Sequence, residues 1–182
     1  MQPTLTTQRL VLRPFRLEDA PDIQLISAHP DIAATTSDSE LPEPGLAEQW
    51  IKIRQLRYKR GDTVDFAIVL RSDDTFIGTI SLGYQFKKDE SMQLGYWLGR
   101  DYWNCGYCTE AARAVVKFAF EVLGLHRIFS RHFAGNPASG RVLQKTGMKH
   151  EGTLREAYNK SGRFENLECY GILKSEYRNA KE

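Results

Sequence analysis

The strongest constraint on the fold is a change in hydrophobic period close to residue 100. Before it, three stretches with strand composition, residues 64–70, 75–84 and 92–99, are joined only by short polar connections. Such connections favour antiparallel hairpins. After it, Ala111, Val115, Phe118 and Val122 form one apolar stripe of an amphipathic helix over residues 111–123. Residues 126–134 then return to strand composition, which predicts a meander followed by a strand–helix–strand crossover.

The remaining elements extend this pattern at both ends. Asn136 as N-cap, Pro137 at the first helical position and Gly147 just past the end define a short helix. The other predictions are a first strand at 9–15, helices at 17–27 and 46–61, a loop or broken helix at 30–45, and last strands at 149–154 and 167–174 around a turn at 160–162. We therefore expect an α+β fold with a mixed, mostly antiparallel sheet and a central crossover, as one domain over residues 1–182.

Composition narrows the function classes. The net charge of +2 gives no reason to expect a nucleic-acid or membrane partner. No apolar run matches a signal-peptide core or the roughly 20 residues of a membrane span. Three cysteines without a secretion signal argue against a disulfide framework, so we expect a cytoplasmic protein. Monomer and homodimer both remain open.

The segment Cys105-Gly106-Tyr107-Cys108 has three interpretations. A helix start lowers a thiol pKa, as in thioredoxin-type redox sites, but such motifs follow the first strand of a small βαβ unit. Zinc would need two further ligands at workable spacing, which Cys169 and the histidines do not offer. Alternatively, backbone N–H groups at the helix start bind a bulky anion such as a diphosphate, and Gly106 lets it approach closely.

Four motifs lie in and around this segment: Gly-Tyr-Trp at 95–97, the Tyr-Trp-x-x-Gly-Tyr-x-Thr-Glu-Ala turn at 102–111, Leu-Gly-Leu-His-Arg at 123–127 and Asn-x-x-Ser…Lys-x-Gly at 136–147. Together they resemble the acyl-CoA-binding core of the GNAT N-acetyltransferase superfamily. More narrowly, they are similar to the branch of bacterial ribosomal-protein N-acetyltransferases. Two departures stand out: Cys108 replaces a smaller residue of the superfamily turn pattern, and Gln93 stands where a glutamate is often found and cannot act as a base.

The resemblance implies the GNAT fold, acetyl-CoA as co-substrate, no metal, and direct attack of a primary amine on the thioester without an acyl-enzyme. The strand at Tyr96, Trp97 and Leu98 would pair with the pantetheine arm. The diphosphate would lie on the turn formed by Asn104, Cys105, Gly106, Tyr107, Cys108 and Thr109. Asn136 has two readings, an N-cap or a ligand of the pantetheine arm. Ser139 would protonate or stabilise the leaving thiolate, since Leu143 occupies the position where the superfamily often has a tyrosine.

The general base is less well defined. In relatives a glutamate precedes the last strand, and its counterpart here is Tyr158; Glu156 would share its face if the segment is extended. A water-relayed base, or an amine that arrives neutral, is the alternative. The acceptor would lie between the 30–45 loop, the following helix and the 156–162 hairpin, where Asp38, Glu40 and Glu43 would attract a cationic amine.

The expected function is acetylation of a protein N-terminal α-amine. Within the same class, the alternative acceptor is a small amine such as a polyamine, an amino acid or an aminoglycoside. From a different class, the alternative is a CoA-binding regulatory or redox-sensing module that uses Cys105 and Cys108.

Overall fold

A computed structural model describes residues 2–37, 42–84 and 87–179. Eight strands form one sheet in the order β1-β2-β3-β4-β5-β6-β8-β7. The strands are β1 (Leu5–Thr6), β2 (Leu10–Arg13), β3 (Thr63–Leu70), β4 (Phe76–Tyr84), β5 (Ser91–Leu98), β6 (Arg127–Phe133), β7 (Lys149–Lys160) and β8 (Arg163–Leu173). The helices are α1 (Ala20–Ser27), α2 (Pro30–Thr35), α3 (Ala47–Lys59), α4 (Tyr107–Glu121), α5 (Pro137–Lys145) and α6 (Lys174–Asn179).

The predicted α+β class and central crossover are confirmed. Neighbouring strands pair antiparallel except β5 and β6, which pair parallel and are joined through α4. The parallel ladder is short and runs only from Ser91↔Arg127 to Gln93↔Phe129. This short ladder positions the site described below.

Helices cover both faces of the sheet because its central strands carry apolar side chains on both sides. Phe66 and Ile68 of β3 pack with α4 in one core, whereas Ala67 and Val69 pack with α1 and α3 in a second. The same alternation separates Tyr96, which packs against the α4 core, from Trp97, which belongs to the other.

Several boundaries differ from those predicted. The predicted first strand is β2 and is shorter than expected, the two-residue strand β1 before it was not predicted, and the last hairpin is longer, with β7 and β8 meeting at residues 160–163. The 30–45 segment opens with the regular helix α2, because Pro30 occupies its first turn and the His29 side chain accepts a hydrogen bond from the Asp31 N–H. Helix α6 was not predicted. Among the described residues, no helix is long and apolar enough to span a membrane.

Candidate active site

The site lies where β5 and β6 diverge. Beyond the Gln93↔Phe129 pair, the Leu94 carbonyl accepts a hydrogen bond from the Ser130 hydroxyl at 2.7 Å in place of a strand N–H. This side-chain bond ends the ladder, so the following edge of β5 faces a gap instead of β6.

A cavity of about 540 Å³ fills this gap and reaches both faces of the sheet. Most of the predicted site residues line it: Tyr96, Trp97, Leu98, Asn104, Gly106, Cys108, Thr109, Asn136, Ser139 and Tyr158. The fold therefore brings together side chains from β5, the α4 turn, α5 and β7. Cys105, Tyr107 and Glu156 are not among the residues that line the cavity.

The turn before α4 has the backbone geometry of an anion site. Asn104 and Gly106 both adopt left-handed conformations, with φ of 61° and 81°. Gly106 is the N-cap of α4 and provides no side-chain cap, so the first N–H groups of the helix are not satisfied by it. Those N–H groups and the positive end of the helix dipole lie beside the cavity, where they suit a diphosphate.

An ion pair between Arg9 and Glu110 stabilises this turn. Arg9 donates to the Cys105 carbonyl at 3.0 Å, and its guanidinium lies 4.4 Å from the centre of the Tyr107 ring. The Glu110 carboxylate accepts hydrogen bonds from the Thr7 hydroxyl, the Arg9 N–H and the Arg9 side chain. Partial burial raises the pKa of Glu110, but these hydrogen bonds outweigh it and hold that pKa below its ordinary value. Cys105 and Tyr107 therefore support the turn from outside.

The two cysteines of this turn have different surroundings. Cys105 is exposed and Cys108 lines the cavity; both are free. Burial raises the pKa of the Cys108 thiol, so this cysteine remains protonated at neutral pH. Among the described residues, no group of three or more His, Cys, Asp or Glu side chains is arranged to hold a metal ion.

A pair of hydroxyls lies on the α5 side of the cavity. The Tyr96 hydroxyl is 2.9 Å from Ser139 Oγ and 3.1 Å from the Ser139 carbonyl oxygen. Asn136 caps α5 by accepting a hydrogen bond from the Ser139 N–H at 3.3 Å, and it also lines the cavity. Sequence reasoning assigned Tyr96 only a backbone role. Strand alternation was the available signal, because it places Tyr96 on the α5 side with Leu94 and Leu98.

The opposite side of the cavity, called here the α2 wall, is formed by the end of α2 together with β5, β6 and the β7–β8 hairpin. Its residues are Ile32, Thr35, Thr36, Gln93, Arg131, Phe133, Tyr158 and Leu167. Lys160 fixes this wall, because its ammonium group donates to the carbonyls of Ala33, Ala34 and Thr36 and lies 4.7 Å from the Phe133 ring centre. The hairpin is thereby joined to the C-terminal end of α2.

None of the predicted acidic residues that the structure describes forms part of this wall. Asp38 and Glu40 lie outside the described residues, and Glu43 is exposed and does not line the cavity. Glu156 was expected to share a face with Tyr158 in an extended segment. Instead, the strand register shifts between Leu154 and Tyr158, and Glu156 adopts a φ of 50° with its side chain exposed.

His132 is a buried residue that the sequence analysis did not single out. Its Nδ1 lies 2.8 Å from the Phe133 carbonyl oxygen, and no hydrogen-bond partner of its Nε2 is found among the described residues. The ring lies directly against α5, where a Cβ added at Gly140 would be 2.7 Å from Nε2. Glycine at this position allows α5 to lie close to the sheet.

Comparison with known proteins agrees with this geometry. Residues 9–149 match the family model of the acetyltransferase (GNAT) domain. The uncharacterized N-acetyltransferase YnaD of Bacillus subtilis (strain 168) is 30% identical over 177 residues, which cover 95% of this chain and 98% of that protein.

Two solved structures show the same fold at low sequence identity. RimL, a ribosomal L7/L12 alpha-N-protein acetyltransferase in complex with coenzyme A, has a TM-score of 0.84 at 15% identity and covers 94% of this chain and 98% of its own. The dodecameric spermidine N-acetyltransferase from Vibrio cholerae has a TM-score of 0.79 at 19% identity and covers 97% of this chain and all of its own (100%).

The family model spans most of the chain, and the relative YnaD is matched over almost its whole length. The chain therefore belongs to the GNAT acetyltransferase family and is an acetyl-CoA-dependent N-acetyltransferase.

Proposed function

We propose that this enzyme acetylates the α-amine at the N-terminus of a protein, in the cytoplasm, by direct attack of the amine on acetyl-CoA. One observation carries the proposal: a single cavity passes through the sheet, with a hydroxyl pair on the α5 side and an open α2 wall on the other. Two substrates that enter from opposite faces can meet there without a covalent enzyme intermediate. Three free cysteines agree with a reducing compartment.

The cavity residues fit acetyl-CoA. The N–H groups of Gly106, Cys108 and Thr109, which lie beside the cavity at the start of α4, would bind the diphosphate. The edge of β5 at Tyr96, Trp97 and Leu98 is free of the β6 ladder and can pair with the amide groups of the pantetheine arm. One of these strand N–H groups can also polarise the thioester carbonyl as negative charge builds on its oxygen.

Ser139 is the residue we assign to the leaving group. Its hydroxyl lines the cavity in the first turn of α5, whose start is fixed by Asn136. A hydrogen bond from Ser139 would stabilise the thiolate as the carbon–sulfur bond breaks. The Cys108 thiol is protonated and is not an activated nucleophile, which agrees with direct transfer.

Proton removal from the amine is assigned to the α2 wall. Tyr158 lies there, with its ring centre 5.3 Å from that of Phe133, and would hold the incoming amine or the water that takes its proton. Glu156 remains a predicted base, although its side chain is exposed outside the cavity. Tyr158→Phe tests this role: we expect a lower turnover rate with an unchanged KM for acetyl-CoA.

The charges of the cavity favour an N-terminal α-amine over a polyamine. Among the described residues that line it, the charged side chains are Arg131, Arg141 and Lys145, and none is Asp or Glu. Arg131 lies on the α2 wall, where it would repel the remaining positive charges of a polyamine. A peptide carries backbone carbonyl oxygens next to its amine, and these can accept hydrogen bonds from Arg131 and Gln93. RimL acts on a protein α-amine, whereas the Vibrio cholerae relative acts on spermidine.

The decisive experiment measures coenzyme A release with purified enzyme. The acceptors to compare are N-terminal peptides of ribosomal proteins, the same peptides with a blocked N-terminus, spermidine and an aminoglycoside. We expect turnover with free peptides and none with blocked ones. Faster turnover with spermidine would refute the proposed acceptor class, and absence of turnover with every amine would favour a regulatory CoA-binding module.

A further inference from the structure

We infer that the Tyr96 side chain is a positioning residue for acetyl transfer, because its hydroxyl orients Ser139 toward the coenzyme A sulfur. This inference rests on the proposed function of Ser139. It adds a role for a strand residue whose side chain reaches α5 across the gap between the strands.

The two hydroxyl groups of Tyr96 and Ser139 share a limited number of hydrogens. The Tyr96 hydroxyl has one hydrogen and two acceptors within reach, Ser139 Oγ at 2.9 Å and the Ser139 carbonyl oxygen at 3.1 Å. If Tyr96 donates to the carbonyl, the Ser139 hydroxyl can donate to the Tyr96 oxygen. If Tyr96 donates to Ser139 Oγ, the Ser139 hydroxyl has to donate its own hydrogen to another acceptor, and Ser139 lines the cavity where such an acceptor can bind.

Negative charge on the sulfur selects the second arrangement. A thiolate in the cavity attracts the Ser139 hydrogen, and Tyr96 then donates a hydrogen bond to Ser139 Oγ. The Tyr96–Ser139 and Ser139–thiolate hydrogen bonds strengthen each other. Only hydrogens move, since both oxygens are already in place. Because the heavy atoms are preorganised, they need not move as charge builds on the sulfur, and this lowers the barrier to acetyl transfer.

Tyr96 keeps its proton throughout. Burial raises the pKa of Tyr96 well above its ordinary value. The reaction balances without proton loss from either hydroxyl: the amine nitrogen forms a bond to the acetyl carbon, the carbon–sulfur bond breaks, and the thiolate finally takes the proton that the amine releases. Tyr96 and Ser139 contribute hydrogen bonds only.

A double-mutant cycle of Tyr96→Phe and Ser139→Ala tests the inference. We expect Tyr96→Phe to lower kcat about 3- to 10-fold in the native background, the usual value of one hydrogen bond. In the S139A background the same change should lower kcat less than about 2-fold, because the oriented hydroxyl is already gone. The KM for acetyl-CoA should stay within about 2-fold in all variants. An equal loss in both backgrounds, or no loss in the native one, would overturn the inference.

Tyr177→Phe is the matched control. It also removes a tyrosine hydroxyl that donates a hydrogen bond, to Glu121 at 2.9 Å, but lies away from the cavity. We expect its kcat to equal that of the unmodified enzyme. Thermal melting of each variant shows whether it is folded.

Binding of coenzyme A tests the role of Tyr96 without any amine acceptor. Calorimetry at pH 9, where part of the coenzyme A thiol is ionised, compares coenzyme A with its desulfo analogue. The native enzyme should prefer coenzyme A, and Tyr96→Phe should lower the ratio of the two affinities about 3- to 10-fold, because Ser139 is present but no longer oriented. An unchanged ratio would contradict the role of Tyr96 even if the acceptor proved to be different from the proposed one.

Discussion

Replacing Gly140 by alanine should push α5 away from the sheet and disturb both stability and catalysis. The added Cβ would lie 2.7 Å from His132 Nε2 and 3.2 Å from the Tyr170 hydroxyl oxygen. Normal separations between such atoms are about 3.5 Å or more, so the helix or the imidazole ring has to move by several tenths of an ångström. Gly140 lies in the same turn of α5 as Ser139, and the movement would change the distance between Ser139 Oγ and the Tyr96 hydroxyl.

The expected magnitude combines two opposing effects. Overpacking in a core costs about 1–3 kcal/mol, whereas alanine in place of glycine within a helix contributes about 0.5–1 kcal/mol of stabilisation. The net loss in the free energy of unfolding is therefore about 0–2.5 kcal/mol, which lowers Tm by up to about 10 °C in a chain of this size. We also expect kcat to fall more than the KM for acetyl-CoA rises, since α5 carries the thiolate-facing hydroxyl.

Calorimetric melting and steady-state kinetics check this prediction, with Gly135→Ala as the matched control. Gly135 precedes the same helix, and a Cβ added there meets no atom within 4 Å. Its substitution should change stability by less than about 0.5 kcal/mol. Combining His132→Ala with Gly140→Ala removes the imidazole ring that the new Cβ would meet, so α5 should return to its native position. A Gly140→Ala variant with native Tm and native kcat would refute the close approach of α5 to His132.

Three further predictions concern the supports of the cavity. Glu110→Gln should lower the free energy of unfolding by about 1–2 kcal/mol at pH 7, because Glu110 accepts hydrogen bonds from Thr7 and Arg9. The pKa of Glu110 is lowered in the folded state, so this difference is present above about pH 4.3 and should disappear as the pH falls through the folded-state pKa. Acid titration of both proteins measures it. Lys160→Met removes the bonds that join the hairpin to α2 and should raise the KM for the amine about 3- to 10-fold with the KM for acetyl-CoA unchanged; a change confined to acetyl-CoA would place the amine elsewhere. Replacement of both Cys105 and Cys108 by alanine should leave turnover within about 2-fold of native, whereas loss of activity would restore the redox interpretation.

Local patterns in the sequence were sufficient to predict most elements. The switch from period 2 to period 3.6 near residue 100 predicted the β5–α4–β6 crossover, because such periods reflect which neighbours share a face. Asn136 and Pro137 predicted the start of α5, since capping acts within one turn. Gly106 was expected only to let an anion approach the main chain, and its left-handed φ is a finding of the structure. The motifs resembled those of the GNAT superfamily, and the family match confirmed that membership.

Only the tertiary structure showed how distant segments complete the site. Arg9 and Glu110 are 101 residues apart, and Lys160 and Ala33 are 127 residues apart. The Tyr96–Ser139 hydroxyl pair, the bulge that turns Glu156 away from the cavity and the contact of Gly140 with His132 likewise depend on how the elements pack. Periodicity and capping describe interactions between residues a few positions apart along the chain. Contacts between elements depend on the register and divergence of strands, which no local pattern in this sequence encodes.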